Sequence, residues 1–331
     1  SRARRDVWEE SLSIKRMMTH TPPNPYCWHC RYGKGFRVPH RAGAMERNGR
    51  TTKKEGDLML CDHVILKSEV STGGGGERVL LNMLDDYTDW FTAYPSKQRN
   101  ANATYHGIIQ HSGRVRIRWA YTDGALEIKN ALESHGIPHE VSAPYIHETN
   151  GKMEVHNRTE LYGMRTTHEQ CGAPLTFWAD CAKHFAFSRN IYDVKGKGSP
   201  YYRKFKEEFA GLHIPFCARI RFRQIPPLEK DKSTHRVAAP FIWGVFFGYG
   251  QVPGGKWNKR YLCVALTEFV HMDFRVGGHV RIQDVFEVEF DDTDTVVFPL
   301  KATYDRAHGT LEGLSVPYAV SYTHLTLPTS V

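Results

Sequence analysis

An aspartate interrupts the largely apolar run Asp57-Leu58-Met59-Leu60-Cys61-Asp62-His63-Val64-Ile65-Leu66, which reads as a strand. A carboxylate in such a run is expensive unless it meets a metal ion or a hydrogen-bond donor. Two further isolated acids follow: Asp123 ends the alternating stretch Arg114-Val115-Arg116-Ile117-Arg118-Trp119-Ala120-Tyr121-Thr122-Asp123, and Glu154 lies just inside a helix that opens near Asn150. About thirty residues separate Asp123 from Glu154, room for a helix, a strand and a turn, so the three can converge. Three carboxylates in one place repel, at about 4 kcal/mol per pair for ~4 Å and an effective dielectric near ~20. A cation must hold them together. Hard oxygen ligands suit Mg²⁺ or Mn²⁺, and two such ions ~3.5 to 4 Å apart can stabilise both the attacking and leaving oxygens of a phosphoryl displacement. The alternative is three unrelated, solvated surface acids.

The surrounding pattern is α/β. Residues 77–86 and 89–94 read as two strands joined by a tight turn, 100–111 as a helix, 114–123 as a strand, Leu126 to Ser134 as a short helix stopped by Gly136, and Pro138 to Ser142 as a strand. A long helix runs from Asn150 to Gln170, ending before Gly172, and Leu175 to Asn190 sets Trp178, Cys181, Ala182 and Phe185 on one core-facing stripe. The order is β-β-β-α-β-α-β-α. From Phe216 to Phe290 short aromatic and β-branched strands predict a small antiparallel barrel.

Near the N-terminus, Cys27 and Cys30 stand two residues apart, flanked by His20 and His40, with His29 as a rival. Such a set can close a tetrahedral Zn²⁺ site. A redox pair would want a βαβ setting, which this Pro- and Arg-rich stretch lacks, and unliganded cysteines are the other alternative. A region this short has little apolar surface, and Zn²⁺, worth ~10–16 kcal/mol in finger peptides, can supply its stability.

The acids on the first and fourth strands and on the helix after the fifth resemble the RNase H-like core of retroviral and retrotransposon integrases, the copia type most closely. The family's T-D-N-G-G-E-F is matched by Thr122-Asp123-Gly124-Ala125-Leu126-Glu127-Ile128, its N-G-V-A-E-R-x-N-R-T by Asn150 to Thr159, and its D-D-Y-T-R turn by Asp85-Asp86-Tyr87-Thr88-Asp89. Gly136 to Glu140, Phe177-Trp178-Ala179, Ser199-Pro200-Tyr201 and the phrase Trp243 to Tyr249 are also similar. The resemblance runs from about residue 20 to about residue 290. It implies an RNase H-like five-stranded mixed sheet flanked by helices, a zinc-binding N-terminal segment and an SH3-like C-terminal domain. It also implies a DDE polynucleotidyl transferase that uses Asp62, Asp123 and Glu154 to hold two Mg²⁺ or Mn²⁺ ions, trims element DNA 3′ ends, joins them to target DNA and works as a homo-oligomer. Zinc would be held by His20, Cys27, Cys30 and His40. Lys152, His156 and Arg158 are the DNA-phosphate candidates; Arg158 shares a helical face with Glu154 and could pair with it instead. Two departures stand out: Gly124 replaces an Asn and Val155 replaces an Arg beside the glutamate. A nuclease that cuts without joining and a non-catalytic DNA-binding remnant therefore stay open.

The expected organisation is a zinc segment at 1–50, the core at 56–192, a basic linker at 193–215, the SH3-like domain at 216–290 and an extension at 291–319. The tail 320–331 resembles the translation of a sequencing adaptor and should lack packed contacts, and Ser1 suggests a piece cut from a longer polyprotein. Residues 71–76, Ser-Thr-Gly-Gly-Gly-Gly, read as a flexible hairpin insertion without phosphate-binding function. A formal charge of +8 and a pI near 9.0 favour a polyanionic partner such as DNA. The seven cysteines are an odd count, which argues against a disulfide framework. No apolar run is long enough to span a bilayer and no signal peptide opens the sequence, so an intracellular protein of the nucleus or of a virus-like particle is expected.

Overall fold

The computed structural model describes residues 8–21, 24, 26–34, 52–65, 72–122, 124–141, 151–193, 196–223, 239–291 and 296–309. In chain order the elements are α1 (Ile14–Thr19), α2 (Trp28–Lys34), β1 (Met59–Ile65), β2 (Val79–Asp85), β3 (Phe91–Ser96), α3 (Ala101–Ser112), β4 (Ala120–Thr122), α4 (Leu126–Ser134) and β5 (His139–Val141). Then come α5 (Gly151–Cys171), α6 (Trp178–Ile191), α7 (Pro200–Phe205), β6 (Arg219–Arg223), β7 (Phe241–Gln251), β8 (Trp257–Ala265), β9 (Gln283–Val285), β10 (Val288–Glu289) and α8 (Lys301–Gly309).

The first sheet has the order β3-β2-β1-β4-β5, with β1, β2 and β3 antiparallel and β4 and β5 parallel to β1. This is the expected RNase H-like mixed sheet. Every residue of β2 is buried, because helices cover both faces, and its sequence is accordingly a near-continuous apolar run. The period of two sorts the side chains. Met59, Cys61, Leu81 and Met83 meet Ile108, Ile128 and Leu132 of α3 and α4. Leu60, Leu80 and Leu84 face Met153, Met164 and Ala182 of α5 and α6. Asp62 and Asn82 have the parity of the second set, so they point toward α5.

Several expectations change. Among the described residues of the stretch 114–123 only Ala120–Thr122 join a ladder, since β1 begins at Met59; before it, Arg118 N–H donates to Gly56 O in the turn leading into β1. The alternation persists without the ladder: Arg114, Arg116 and Arg118 are exposed while Ile117 is buried. The glycine run is docked, not flexible: Gly74 N–H donates to Thr176 O at 2.7 Å and Gly73 N–H to Glu77 O at 2.8 Å. The expected basic linker carries α7, where Lys204 is nearly fully buried, bonded to Glu55 at 3.1 Å and lying over the Trp90 ring. Its charge sits in a pocket of acid and aromatic groups, not on a solvated face.

The second sheet runs β10-β6-β7-β8-β9, antiparallel throughout. Its edge strands β9 and β10 are linked by Phe286 and Glu287 alone, so Val285 and Val288 have Cα atoms within ~11 Å, whereas the edges of a flat five-stranded sheet lie ~19 Å apart. The sheet must therefore curl toward a barrel, helped by register shifts in β7 at Phe246/Gly248 and Tyr249/Gln251. One apolar cluster runs from Leu60 and Leu80 through Phe177, Trp178 and Ala182 of α6 to Phe216, Val245, Phe247 and Val264 of the barrel. α6 is thus buried on both sides, and the core crosses the domain boundary expected between 192 and 216. Residues 310–331, including the adaptor-like tail, lie outside the described residues.

Candidate functional site

Asp62 sits near the middle of β1, directly opposite Asn82 of β2 in the antiparallel register. The two side chains share the face under α5, where Asn157 bridges them: its Nδ2 donates to Asp62 Oδ2 at 2.7 Å and its Oδ1 accepts from Asn82 Nδ2 at 2.9 Å. Glu154 lies one turn before Asn157 and Glu160 one turn after, so the three follow the i, i+3 stripe of α5. The stripe grades from exposed Glu154 through half-buried Asn157 to fully buried Glu160. Glu154 occupies the first turn of α5, where the helix dipole favours a carboxylate by about 0.3–1 kcal/mol.

Asp123 lies outside the described residues, but Thr122 before it pairs in parallel register with Cys61, the residue before Asp62. The donor set at this end of the sheet is carboxylate oxygen, which fits Mg²⁺ or Mn²⁺. The phosphate candidates divide. Arg158 is exposed, and no ion pair joins it to Glu154 among the described residues. Lys152 is turned onto the Asp86-to-Asp89 turn, with Nζ 2.5 Å from Asp86 and 3.4 Å from Asp89. His156 corrects the sequence reading: it is 6 % exposed, its ring tilted against Phe91 with centroids 5.4 Å apart and 3.2 Å from Arg189 Nη1, and it faces the core, not solvent. Its i+4 relation to Lys152 holds, but α5 buries that face. Val155, beside Glu154, is 52 % exposed.

Sequence reasoning missed Asn82, Asn157 and Glu160. Asn82 carried a usable signal, a polar residue in the apolar run of β2, the same kind of signal that drew attention to Asp62. Burial raises the Glu160 carboxyl to about 8, opposed by the Asn82 hydrogen bond and the Arg189 charge.

A second constellation lies at the other end of α5. His20, Cys27 and Cys30 are all buried, and their ligand atoms lie within 4.8 Å of one another. His20 is the C-cap of α1 with φ 46°, a left-handed conformation that aims its ring at the thiols. Nδ1 stands 3.8 Å from Cys27 Sγ and 3.6 Å from Cys30 Sγ, while Nε2 is held by Gln170 Oε1 of α5 at 2.8 Å. That outer partner fixes the ring orientation, as is usual for metal-binding histidines. A hydrogen bond from Cys27, aided by His20, holds the Cys30 thiol well below its ordinary range, while Cys27 is raised, so one thiolate is favoured. The set suits Zn²⁺. Of the remaining ligand candidates, His40 lies outside the described residues and His29 is not part of the cluster. Close helix packing docks the segment on α5: a Cβ at Gly33 of α2 would lie 2.6 Å from Thr166 Cα.

No protein-family model matches the chain. The chain is similar to the retrovirus-related Pol polyprotein from transposon RE2 of Arabidopsis thaliana, at 23% identity over 260 residues. That stretch covers 76% of this chain and 16% of the relative, so the chain spans about a sixth of that polyprotein's length. Among solved structures, the catalytic core domain of BIV integrase superposes with a TM-score of 0.34 at 16% identity, covering 46% of this chain and 95% of that one. The strand order, not this superposition, identifies the fold. The similarity to a retrotransposon Pol polyprotein agrees with the resemblance read from the sequence. No helix among the described residues is long and apolar enough to cross a membrane.

Proposed function

We propose that this chain is the integrase segment of a retrotransposon polyprotein, a polynucleotidyl transferase that inserts element DNA into target DNA. One observation carries the reading: Asp62, central in an RNase H-like sheet, is gripped by Asn157 of the same helix that presents Glu154 one turn earlier. Asp62, Asp123 and Glu154 would hold two Mg²⁺ or Mn²⁺ ions, which when bound lower the pKa of an attacking hydroxyl and neutralise charge on the phosphate. In the first reaction water attacks the phosphodiester near the element's 3′ end, releasing a short fragment and a free 3′-OH. That hydroxyl then attacks a target phosphodiester; its oxygen gains the phosphorus as the target's own 3′ oxygen leaves. Arg158, exposed one turn beyond Glu154, is the residue best disposed to meet DNA phosphate. His20, Cys27 and Cys30 would hold Zn²⁺ and dock the N-terminal helices on α5.

Incubation of labelled element ends with target DNA and Mg²⁺ tests this. The parent should join labelled ends covalently to the target, and Asp62→Asn and Glu154→Gln should not; parental joining by either variant removes that acid from the site. Cutting without joining would indicate a nuclease of the same fold. A second reading, a DNA-binding remnant without turnover, is favoured by exposed Val155 beside Glu154 and by the engagement of Lys152 with Asp86. It predicts salt-sensitive DNA binding with no metal-dependent product.

A further inference from the structure

We infer that Asn82 and Glu160 act as positioning residues for the acid site, setting the orientation of the Asn157 amide and, through it, of the Asp62 carboxylate. The inference rests on the reading of Asp62 as a ligand of a divalent ion. Asn157 Nδ2 donates to Asp62 Oδ2, Asn82 Nδ2 donates to Asn157 Oδ1, and the same Asn82 Nδ2 donates to Glu160 Oε2. The Asp62 carboxylate accepts at one end, so Asn157 must turn its NH₂ to it and its Oδ1 to Asn82, and Asn82 must in turn present its own NH₂, which Glu160 Oε2 also accepts. If either amide turned over, oxygen would face oxygen.

The chain of bonds starts at a fixed point. Asn82 and Glu160 are completely buried, and Asn82 is held in β2, beside the central strand β1 and directly across from Asp62. Its side chain is therefore anchored by the ladder while Asn157 stands half-buried at the rim. Glu160 supplies the acceptor that occupies the second Asn82 N–H. The Asn82 amide then has one orientation, and Asn157 receives a donor where it needs one. Glu160 Oε1 and Asn82 Oδ1 have no hydrogen-bond partner among the described residues, so within a wall of Leu80, Leu84 and Met164 the bonds of these two buried side chains run only toward each other and Asn157, with the Arg189 charge as the other polar influence on Glu160. A carboxylate held in one rotamer before an ion arrives binds it more tightly than a free one, and outer partners of this kind change metal affinity by about 10–100-fold.

The test is Mn²⁺ binding to the full chain without DNA, read by titration calorimetry, with thermal unfolding as a check on folding. Asn82→Leu, which keeps the branched shape among Leu80 and Leu84, should weaken Mn²⁺ about tenfold, and Glu160→Met should weaken it several-fold. Glu160→Gln keeps an acceptor oxygen and should stay within about twofold of the parent. If Asn82→Leu does not fold, the contrast between Met and Gln at position 160 carries the result. Parental affinity in folded Asn82→Leu, or equal affinity for Met and Gln at 160, overturns the inference. If Asp62→Asn itself binds Mn²⁺ as the parent does, the metal reading fails, and the relay with it. Loss of Mn²⁺ binding on Asp62→Asn alone, with both other sites silent, sinks the relay and leaves the metal reading standing.

Discussion

The two candidate metal centres share one helix and differ in almost everything else. Glu154 and Asn157 lie near the start of α5 and Gln170 near its end, so the sites are ~24 Å apart along the axis. The His20–Cys27–Cys30 cluster is buried, its thiols and imidazole already within bonding range of one ion and its outer partner in place. The acid site opens to solvent at Glu154 and is built from residues brought in by separate elements. Closed sites with soft donors suit a structural ion, and open sites with hard donors suit an ion that must meet substrate. The lesson is that one rigid helix can carry both kinds because each takes a different end of it.

Chelation should separate the two centres most strongly. Zinc is worth ~10–16 kcal/mol in small finger domains, so stripping it should release residues 8–34 and raise amide exchange at Met18 and Cys30 by orders of magnitude while β1 and β2 stay protected. Unchanged exchange would mean packed thiols, not a metal-dependent segment. At the open site the order is reversed: Asp62→Asn should cost about a thousandfold in joining, ~4 kcal/mol of barrier, with little change in the melting temperature. A comparable loss of stability would make Asp62 a structural group like Cys30.

Glu160 offers a pH test at the inner end of the acid stripe. Its carboxyl is raised from 4.5 to about 8 by burial, so the folded state resists ionisation that the unfolded chain accepts. Its stabilising contribution is complete below pH 4.5 and is lost as pH rises through about 8, on the order of a few kcal/mol. Arg189 opposes this from α6. Denaturant titrations across that window should show the slope in the parent and a flatter profile in Glu160→Gln; equal slopes would place the titration elsewhere.

Midway along α5, Gly163 lies against α6, where an added Cβ would fall 2.0 Å from Phe185 Cζ. Gly163→Ala should lose ~1–3 kcal/mol through overpacking, despite a helix-propensity gain of up to ~1 kcal/mol. If the centres are independent, zinc and Mn²⁺ affinities should both survive; a joint loss would show that the helix couples them. The smallest effect belongs to Glu154→Gln on stability, ~0.3–1 kcal/mol from the helix dipole, read as a slightly lower melting temperature beside an absent joining product.

Much of the fold was legible because local physics wrote it. The apolar run of β2, the alternation of β6 and the stop of α5 before Gly172 follow in turn from burial on two faces, burial on one, and a left-handed φ of 67° that glycine tolerates. Asp62 and the Cys27/Cys30 pair were also visible, as a polar residue in an apolar strand and as two thiols at ligand spacing. The charge in the stretch 193–215 could not be placed from sequence, since a run of cations does not say whether an acid and an aromatic ring wait to receive one of them, as they do at Lys204.

By itself the sequence determined which residues could form strands and helices and which side chains had metal chemistry, because periodicity and donor type are local properties. Only the tertiary structure decided which of them meet. The register that sets Asp62 across from Asn82, the rotation of α5 that buries His156 while leaving Arg158 outside, and the cap that turns His20 toward the thiols are products of packing between distant segments. No window of the chain contains that information, because each contact is settled by the shape of a partner far away in sequence.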